Sequence, residues 1–356
     1  MFSNYKNKTI LITGHTGFKG TWLTIWLEML GARVIGYALD PLHPEGVFQS
    51  SGIKESITDY RGDIRDLKKL LKVFRKEQPE IIFHLAAQAL VLEGYNNPVE
   101  TFEVNIQGTV NVLEAIRQTP SVKAAVMITT DKCYENMEWI WGYRENDKMG
   151  GHDPYSASKG AAELVISSYR RSFFQNNGNV GIASARAGNV IGGGDWAENR
   201  LVPDIIKAII SGKEVEVRNP NATRPWQHVL EPLTGYMQLG LALLNNPSRF
   251  AEGWNFGPYP HTVYPVKRVV ERIIKYAGIG VMKDISNQGK PHEANLLLLD
   301  ISKAIQKLDW KPVLSFDECI NLTVDWYLNA KKAGALEFTR NQIITYRNLW
   351  ISRSEN

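Results

Sequence analysis

Three glycines, Gly14, Gly17 and Gly20, stand three residues apart in the stretch LITGHTGFKGTWL, directly after one apolar run and directly before another. A strand that hands over to a helix through such a turn uses glycine in three ways. The first permits the tight turn, the second lets the backbone pass close to a bound group, and the third lets helix pack on strand. Amides at the start of the following helix carry partial positive charge, so the group this turn suits is a pyrophosphate. A second strand pattern, RVIGYALD, ends in Asp40 at about the spacing at which an acidic residue meets the ribose of a dinucleotide. A carboxylate there accepts hydrogen bonds from ribose hydroxyls and repels a 2′-phosphate, which favours NAD over NADP. His15, inside the turn, reads as a structural or pyrophosphate-adjacent side chain, and His84 in IIFHLAAQ as a core histidine.

The first half alternates short β-branched runs with helical patterns: KTILITG, GTWLTIWLEMLGA, RVIGYALD, a helix from Arg65, EIIFHLAA, PVETFEVNIQGTVNVLEAIRQT, KAAVMITT, SASKGAAELVISSYRRSFFQ and VGIASARAG. Such alternation predicts an α/β fold, a doubly wound Rossmann-type parallel sheet. After about Gly193 the texture changes to GGGDWAENRLVP and RNPNATRPWQH, rich in Gly, Pro, Asn and Trp. We therefore expect a dinucleotide-binding domain over 1–190, to which later segments return, and over 191–350 a smaller mixed region that shapes a substrate pocket.

Composition narrows the function classes. A net charge of +4 spread over 41 basic and 37 acidic residues gives no basic footprint for nucleic acid. The densest basic stretch, RDLKKLLKVFRKEQ, carries Leu67, Leu70, Leu71 and Phe74 at helical spacing and reads as the wet face of an amphipathic helix. No run approaches the ~18 apolar residues of a membrane span, and MFSNYKNKT has no apolar signal core, so a cytoplasmic protein is expected. Cys133 and Cys319 cannot frame a disulfide scaffold, and no His, Cys, Asp and Glu grouping has metal-ligand spacing, so no metal is expected.

In YSASK, Tyr155 and Lys159 stand four apart and share one helix face. A phenol with a pKa near 10 is a poor base at neutral pH, but a neighbouring ammonium and a cationic nicotinamide both favour the phenolate. The strand end ITTDKCYEN sets Thr130, Asp131 and Lys132 where parallel sheets place their sites.

These pieces, with GDIRD, HLAAQ, NPVETFEVNIQGT, ARAGNVIGGGDW, RPWQHV, WNFGP and DISKAIQKLDWKP, resemble the extended short-chain dehydrogenase/reductases, and within them the nucleotide-sugar 4,6-dehydratases. The resemblance runs from end to end. It implies cofactor contacts from the glycine turn with Thr16, Phe18 and Lys19, adenine contacts from Asp63 and Ile64, and further contacts from Leu85, Ala86 and Ala87. It also implies a structural Asn105 beneath the site, nicotinamide-side contacts from Thr129, and ribose hydrogen bonds from Tyr155 and Lys159. Gln88, Asn189, Arg200, Arg224, His292 and Glu293 fall where relatives hold the nucleotide sugar.

Many 4,6-dehydratases carry Thr-Asp-Glu at this strand end, the aspartic acid protonating the departing C6 hydroxyl and the glutamate removing the C5 proton. Here Asp131 is followed by Lys132, which can act as a base only when neutral, against an ordinary pKa of about 10.4. Glu135 is the reserve. TTDKCYEN, GHTGFKGTWL and GGGDWAENRLVPD are most similar to the CDP-glucose branch, whose activity would be oxidation at C4 by NAD, loss of water across C5 and C6, and hydride return to C6, feeding deoxysugar biosynthesis of the O-antigen type. A 4-epimerase shares Tyr155 and Lys159 but has no use for an acid at C6, and a non-catalytic NAD-binding module would need neither. The helices over PVETFEVNIQGTVNVLEAIRQ and YSASK resemble the pair that forms a bundle between subunits in this superfamily, which implies a homodimer or homotetramer.

Overall fold

Strands that are apolar on both faces have to be covered on both, and the chain answers with one sheet between two helical layers. The computed structural model describes residues 2–174, 180–286 and 296–354. Six strands run through the first part of the chain: β1 (Thr9–Thr13), β2 (Arg33–Ala38), β3 (Thr58–Arg61), β4 (Ile81–His84), β5 (Ala124–Ile128) and β6 (Gly181–Arg186). Their spatial order is β3-β2-β1-β4-β5-β6, with Gly253–Asn255 added beyond β6, and every pairing is parallel. That is the doubly wound order.

Neighbouring residues along a strand point to opposite faces, so the core is split in two. Ile10, Ile12, Ile81, Phe83 and Val126 join one cluster, under the helices Phe18–Met29 and Leu230–Asn245. Leu11, Ile35, Ile82 and Met127 join the other, under Leu67–Glu77, Gly108–Arg117 and Pro154–Tyr169. The pattern read as one helix from Pro98 is Pro98–Phe102, then a π-helical turn at Glu103–Gln107, then Gly108–Arg117. Turns of this kind are frequent at functional sites, and this one carries Asn105.

After residue 190 the chain forms short strand pairs, Val190–Ile191 with Gln227–His228, Thr223–Arg224 with Tyr264–Pro265, and Val215–Val217 with Met282–Asp284. It also returns to the first half. The last helix, Ala335–Ser354, packs on Phe18–Met29, with Trp26 edge-on to Tyr346 at 5.9 Å and Arg340 on Glu28 at 2.8 Å. Residues beyond 190 thus serve both the sheet layers and the mixed region. Among the described residues, no helix is long and apolar enough to cross a membrane.

Candidate active site

Strand order reverses at β1, which lies between β2 and β4, and the crevice outside the carboxyl ends of such strands is where an open parallel sheet takes its ligand. Gly14 follows β1 with φ +77°, and a Cβ there would meet Ala86 N at 2.6 Å. A Cβ on Gly20 would lie 2.1 Å from Gly14 O, so the helix touches the turn only because residue 20 is glycine. Gly17 differs. It is the N-cap of Phe18–Met29 without a side-chain cap, and a Cβ on it would meet only Gly14 O, at 3.4 Å. The folded chain does not need glycine at that position; a pyrophosphate passing over uncapped helix amides does. The turn fits a dinucleotide.

Around it, the Thr16 hydroxyl donates to Leu39 O, fixing the turn to the end of β2. Asp40 lies just past that strand, its side chain 88% exposed, with Arg61 Nε at 3.2 Å. Arg61 also holds Asp59, which hydrogen-bonds His15 Nε2 at 2.8 Å. His15 reaches Asp59 across Gly36, whose Cβ would lie 2.3 Å from the ring, so the histidine is a strap between the turn and β3. His84 bonds Thr13 and Thr109, and burial pushes it down to about 3, as a neutral core group. The Asp63 carboxylate is engaged by the Arg65 amide and guanidinium, and Ile64 is buried beneath Gly108. Leu85 and Ala86 continue β4, their amides donating to Thr13, and Ala87 follows them. Asn105 donates to Gln88 O and to Ser158 Oγ, and accepts from Gln88 N, tying the loop after β4 to the helix that carries Tyr155.

The reaction end is a cavity of about 1030 Å³ whose wall includes Lys19, Thr129, Thr130, Asp131, Lys132 and Tyr155. Asp153 caps the helix Pro154–Tyr169 and sets Tyr155 in its first turn. Burial pushes the Tyr155 phenol up to about 12, while the Thr130 hydroxyl hydrogen-bonded to it works the other way. Burial pushes the Lys159 ammonium down to about 8, opposed by Glu163. Lys159 makes no hydrogen bond with a side chain of the described residues, leaving its donors for a ligand. Thr130 also donates to Asp131 Oδ1 at 2.9 Å, and Asn189, in the left-handed region at φ +50°, donates to Asp131 Oδ2 at 3.3 Å. The Thr129 hydroxyl turns inward to Glu163. Glu135 is absent from the cavity wall and packs on Gly150, where a Cβ would meet its Oε2 at 2.1 Å.

Lys19 was read as part of the pyrophosphate turn, yet its side chain, half-buried, lines the reaction end. Burial, with Arg200 and Lys159 nearby, pushes its ammonium down to about 8. Asn189, Arg200 and Arg224 line the same cavity. Gln88 does not: its amide bonds Leu90 and Thr101 and locks its own loop. His292 and Glu293 lie outside the described residues. Three residues were missed. Asp195 holds Arg200 at 2.8 Å, Arg218 adds a cation to the wall, and a Cβ on Gly188 would fall 1.8 Å from Asp131 Oδ2. GGGDW and ARAGN were visible motifs, but nothing local shows which side chain each glycine makes room for. No cluster of three or more metal-type side chains occurs among the described residues.

Known proteins resemble the chain throughout. A family model described as GDP-mannose 4,6 dehydratase matches residues 11–323. A CDP-glucose 4,6-dehydratase of Salmonella typhimurium is 46% identical over 91% of this chain and 91% of its own. A CDP-paratose 2-epimerase of Salmonella typhi is 26% identical over 89% and 98%. The crystal structure of a Bacillus anthracis dTDP-glucose 4,6-dehydratase in complex with NAD superposes with TM-score 0.75 at 22% identity, covering 92% of this chain and 99% of that one.

Proposed function

The chain belongs to the GDP-mannose 4,6-dehydratase family, and from that premise we propose that it is an NAD-dependent CDP-glucose 4,6-dehydratase, which makes CDP-4-keto-6-deoxyglucose. The observation that carries the reading is Asp131: a carboxyl group 1% exposed, in the cavity wall with Tyr155, held by Thr130 and Asn189 and given its space by Gly188. A 4-epimerase has no use for an acid in that place. NAD, when bound, supplies the hydride acceptor for C4 and the hydride that returns to C6.

The residues divide the remaining work. Tyr155 takes the proton of the sugar 4-hydroxyl, and the positive charge of Arg200 with the hydrogen bond from Thr130 favours its phenolate. A ketone at C4 acidifies the C5 proton, which Lys132 removes while Asp131 protonates the departing C6 hydroxyl. Lys132 lies in the cavity wall and Glu135 does not, which favours the lysine. Arg200, Arg218 and Arg224 give the cavity cations for a diphosphate. Asp40, exposed at the end of β2 beside Arg61, suits the adenosine ribose of NAD. The enzyme acts in the cytoplasm, and its product enters deoxysugar synthesis of the O-antigen type.

Tyr95, Val99 and Phe102 before the π turn, and Leu164 and Phe173 along the Tyr155 helix and its extension, are exposed apolar residues that a second copy would cover. We assign the protein to a homodimer or homotetramer on that ground, to be checked by light scattering. The substrate is tested by supplying CDP-glucose, UDP-glucose and dTDP-glucose together with NAD. Preferential loss of water from the CDP sugar is expected, and dehydration of another nucleotide sugar instead would overturn the choice of base.

A further inference from the structure

Behind the reaction end lies a buried charge pair for which the proposed chemistry has no direct use. Glu163 is 4% exposed and sits one helical turn beyond Lys159 and two beyond Tyr155. It accepts from Thr129 Oγ1 at 2.5 Å, Ser184 Oγ at 2.7 Å and Arg186 at 2.8 Å. Arg186, itself 5% exposed, donates onward to Tyr134 Oη at 2.6 Å and to Glu145 O at 2.9 Å, and Tyr134 donates to Asn255 at 2.7 Å. The pair therefore grips the chain at Thr129 and Tyr134, on either side of Thr130, Asp131 and Lys132. Successive residues of an extended strand point to opposite faces. Holding the Thr129 hydroxyl inward turns Thr130 outward, toward Tyr155 and Asp131.

We propose that Glu163 is a positioning residue of the reaction: paired with Arg186, it clamps both ends of the Thr130–Asp131–Lys132 turn, and it is the counter-charge of Lys159. This rests on the dehydratase reading and names a part of the same site. The groups that act on Lys159 are Glu163 and the Cys133 thiol, with Lys19 and His84 also within its field. Burial works against ionisation of Glu163, but Arg186 and the hydrogen-bonded hydroxyls hold its carboxyl below the ordinary value, so it is charged at neutral pH. Without it, Lys159 gives up its proton at lower pH.

Two variants test the clamp and the charge separately. Thr129→Val keeps the shape and the Glu163 to Arg186 pair and removes one hydrogen bond. It should lower kcat by about tenfold, the loss of one hydrogen bond to a charged group, with a smaller change in the KM for the nucleotide sugar. Glu163→Gln alone strands the Arg186 charge and can fail to fold, so it is combined with Arg186→Met. The double variant should shift the alkaline limb of the kcat profile to lower pH by about one unit, as expected for loss of a nearby opposite charge. Competitive acetylation of Lys159 in the cofactor-free protein should report the same shift. Wild-type kcat in Thr129→Val would overturn the clamp, and wild-type pH profiles in the folded double variant would overturn the charge role. Turnover of CDP-glucose by the wild-type enzyme tests the dehydratase reading by itself, and the variants are compared on whichever nucleotide sugar the wild type oxidises.

Discussion

Replacing Gly188 by alanine should separate the two halves of the reaction. The added Cβ would lie 1.8 Å from Asp131 Oδ2 and 2.0 Å from its Cγ, against an ordinary contact of 3.4 Å or more. The carboxylate must then retreat by about 1.5 Å, and a displacement of about 1 Å at a reacting group costs on the order of a hundredfold in rate. Tyr155 and Lys159 belong to another element and keep their places. Oxidation at C4 should therefore survive while loss of water is slowed on the order of a hundredfold. The assay follows near-ultraviolet absorbance of reduced cofactor and, in the same samples, the mass of the sugar nucleotide. Reduced cofactor should accumulate in Gly188→Ala and not in the wild type. The reasoning fails if the variant dehydrates at the wild-type rate, or if oxidation and dehydration fall together while its melting temperature is unchanged.

Other perturbations have equally definite outcomes. Gly17→Ala should fold with a wild-type melting temperature, since its Cβ meets only Gly14 O at 3.4 Å, but should bind NAD at least tenfold more weakly by calorimetry. Tyr155→Phe should lower both halves of the reaction on the order of a hundredfold to ten-thousandfold, the usual range for removing a general base, with no reduced cofactor formed. Lys132→Met should block solvent-deuterium entry at C5, whereas Glu135→Gln should not. Glu231 makes a stability prediction: burial pushes its carboxyl up to about 7 from 4.5, so the folded chain holds that proton more tightly than the unfolded chain. Its contribution is complete below pH 4.5 and is lost as pH rises through 7, a difference of about 3 kcal/mol. Urea titrations of Glu231→Gln should accordingly lose less stability than the wild type between pH 5 and pH 8.

The glycine turn and the apolar strands were legible because each carries its own short-range signal. Gly14 and Gly20 are glycine for reasons lying within the turn and its neighbouring loop, and the strands show the near-continuous apolar runs of a doubly covered sheet. Strand β3, read TDYR, has intermediate burial at every position, and Gly253–Asn255 is only three residues long, so neither announced itself. The helix from Pro98 was expected to be regular; the π turn at Asn105 answers to Gln88 and Ser158, contacts that local periodicity does not encode. Tyr155, Lys159 and Asp131 were found by motif, but their supports were not. Gly188 makes room for a side chain 57 positions earlier, and Glu163 meets Arg186 across 23 positions, a separation at which a charge in the sequence reads as surface.

The account stands most directly on one measurement: mass spectrometry of CDP-glucose incubated with the protein and NAD in deuterated water. It predicts a product lighter by one water that carries solvent deuterium at C5 and retains at C6 the hydrogen that began at C4. A product of unchanged mass epimerised at C4, or no conversion by protein that binds NAD, would contradict it.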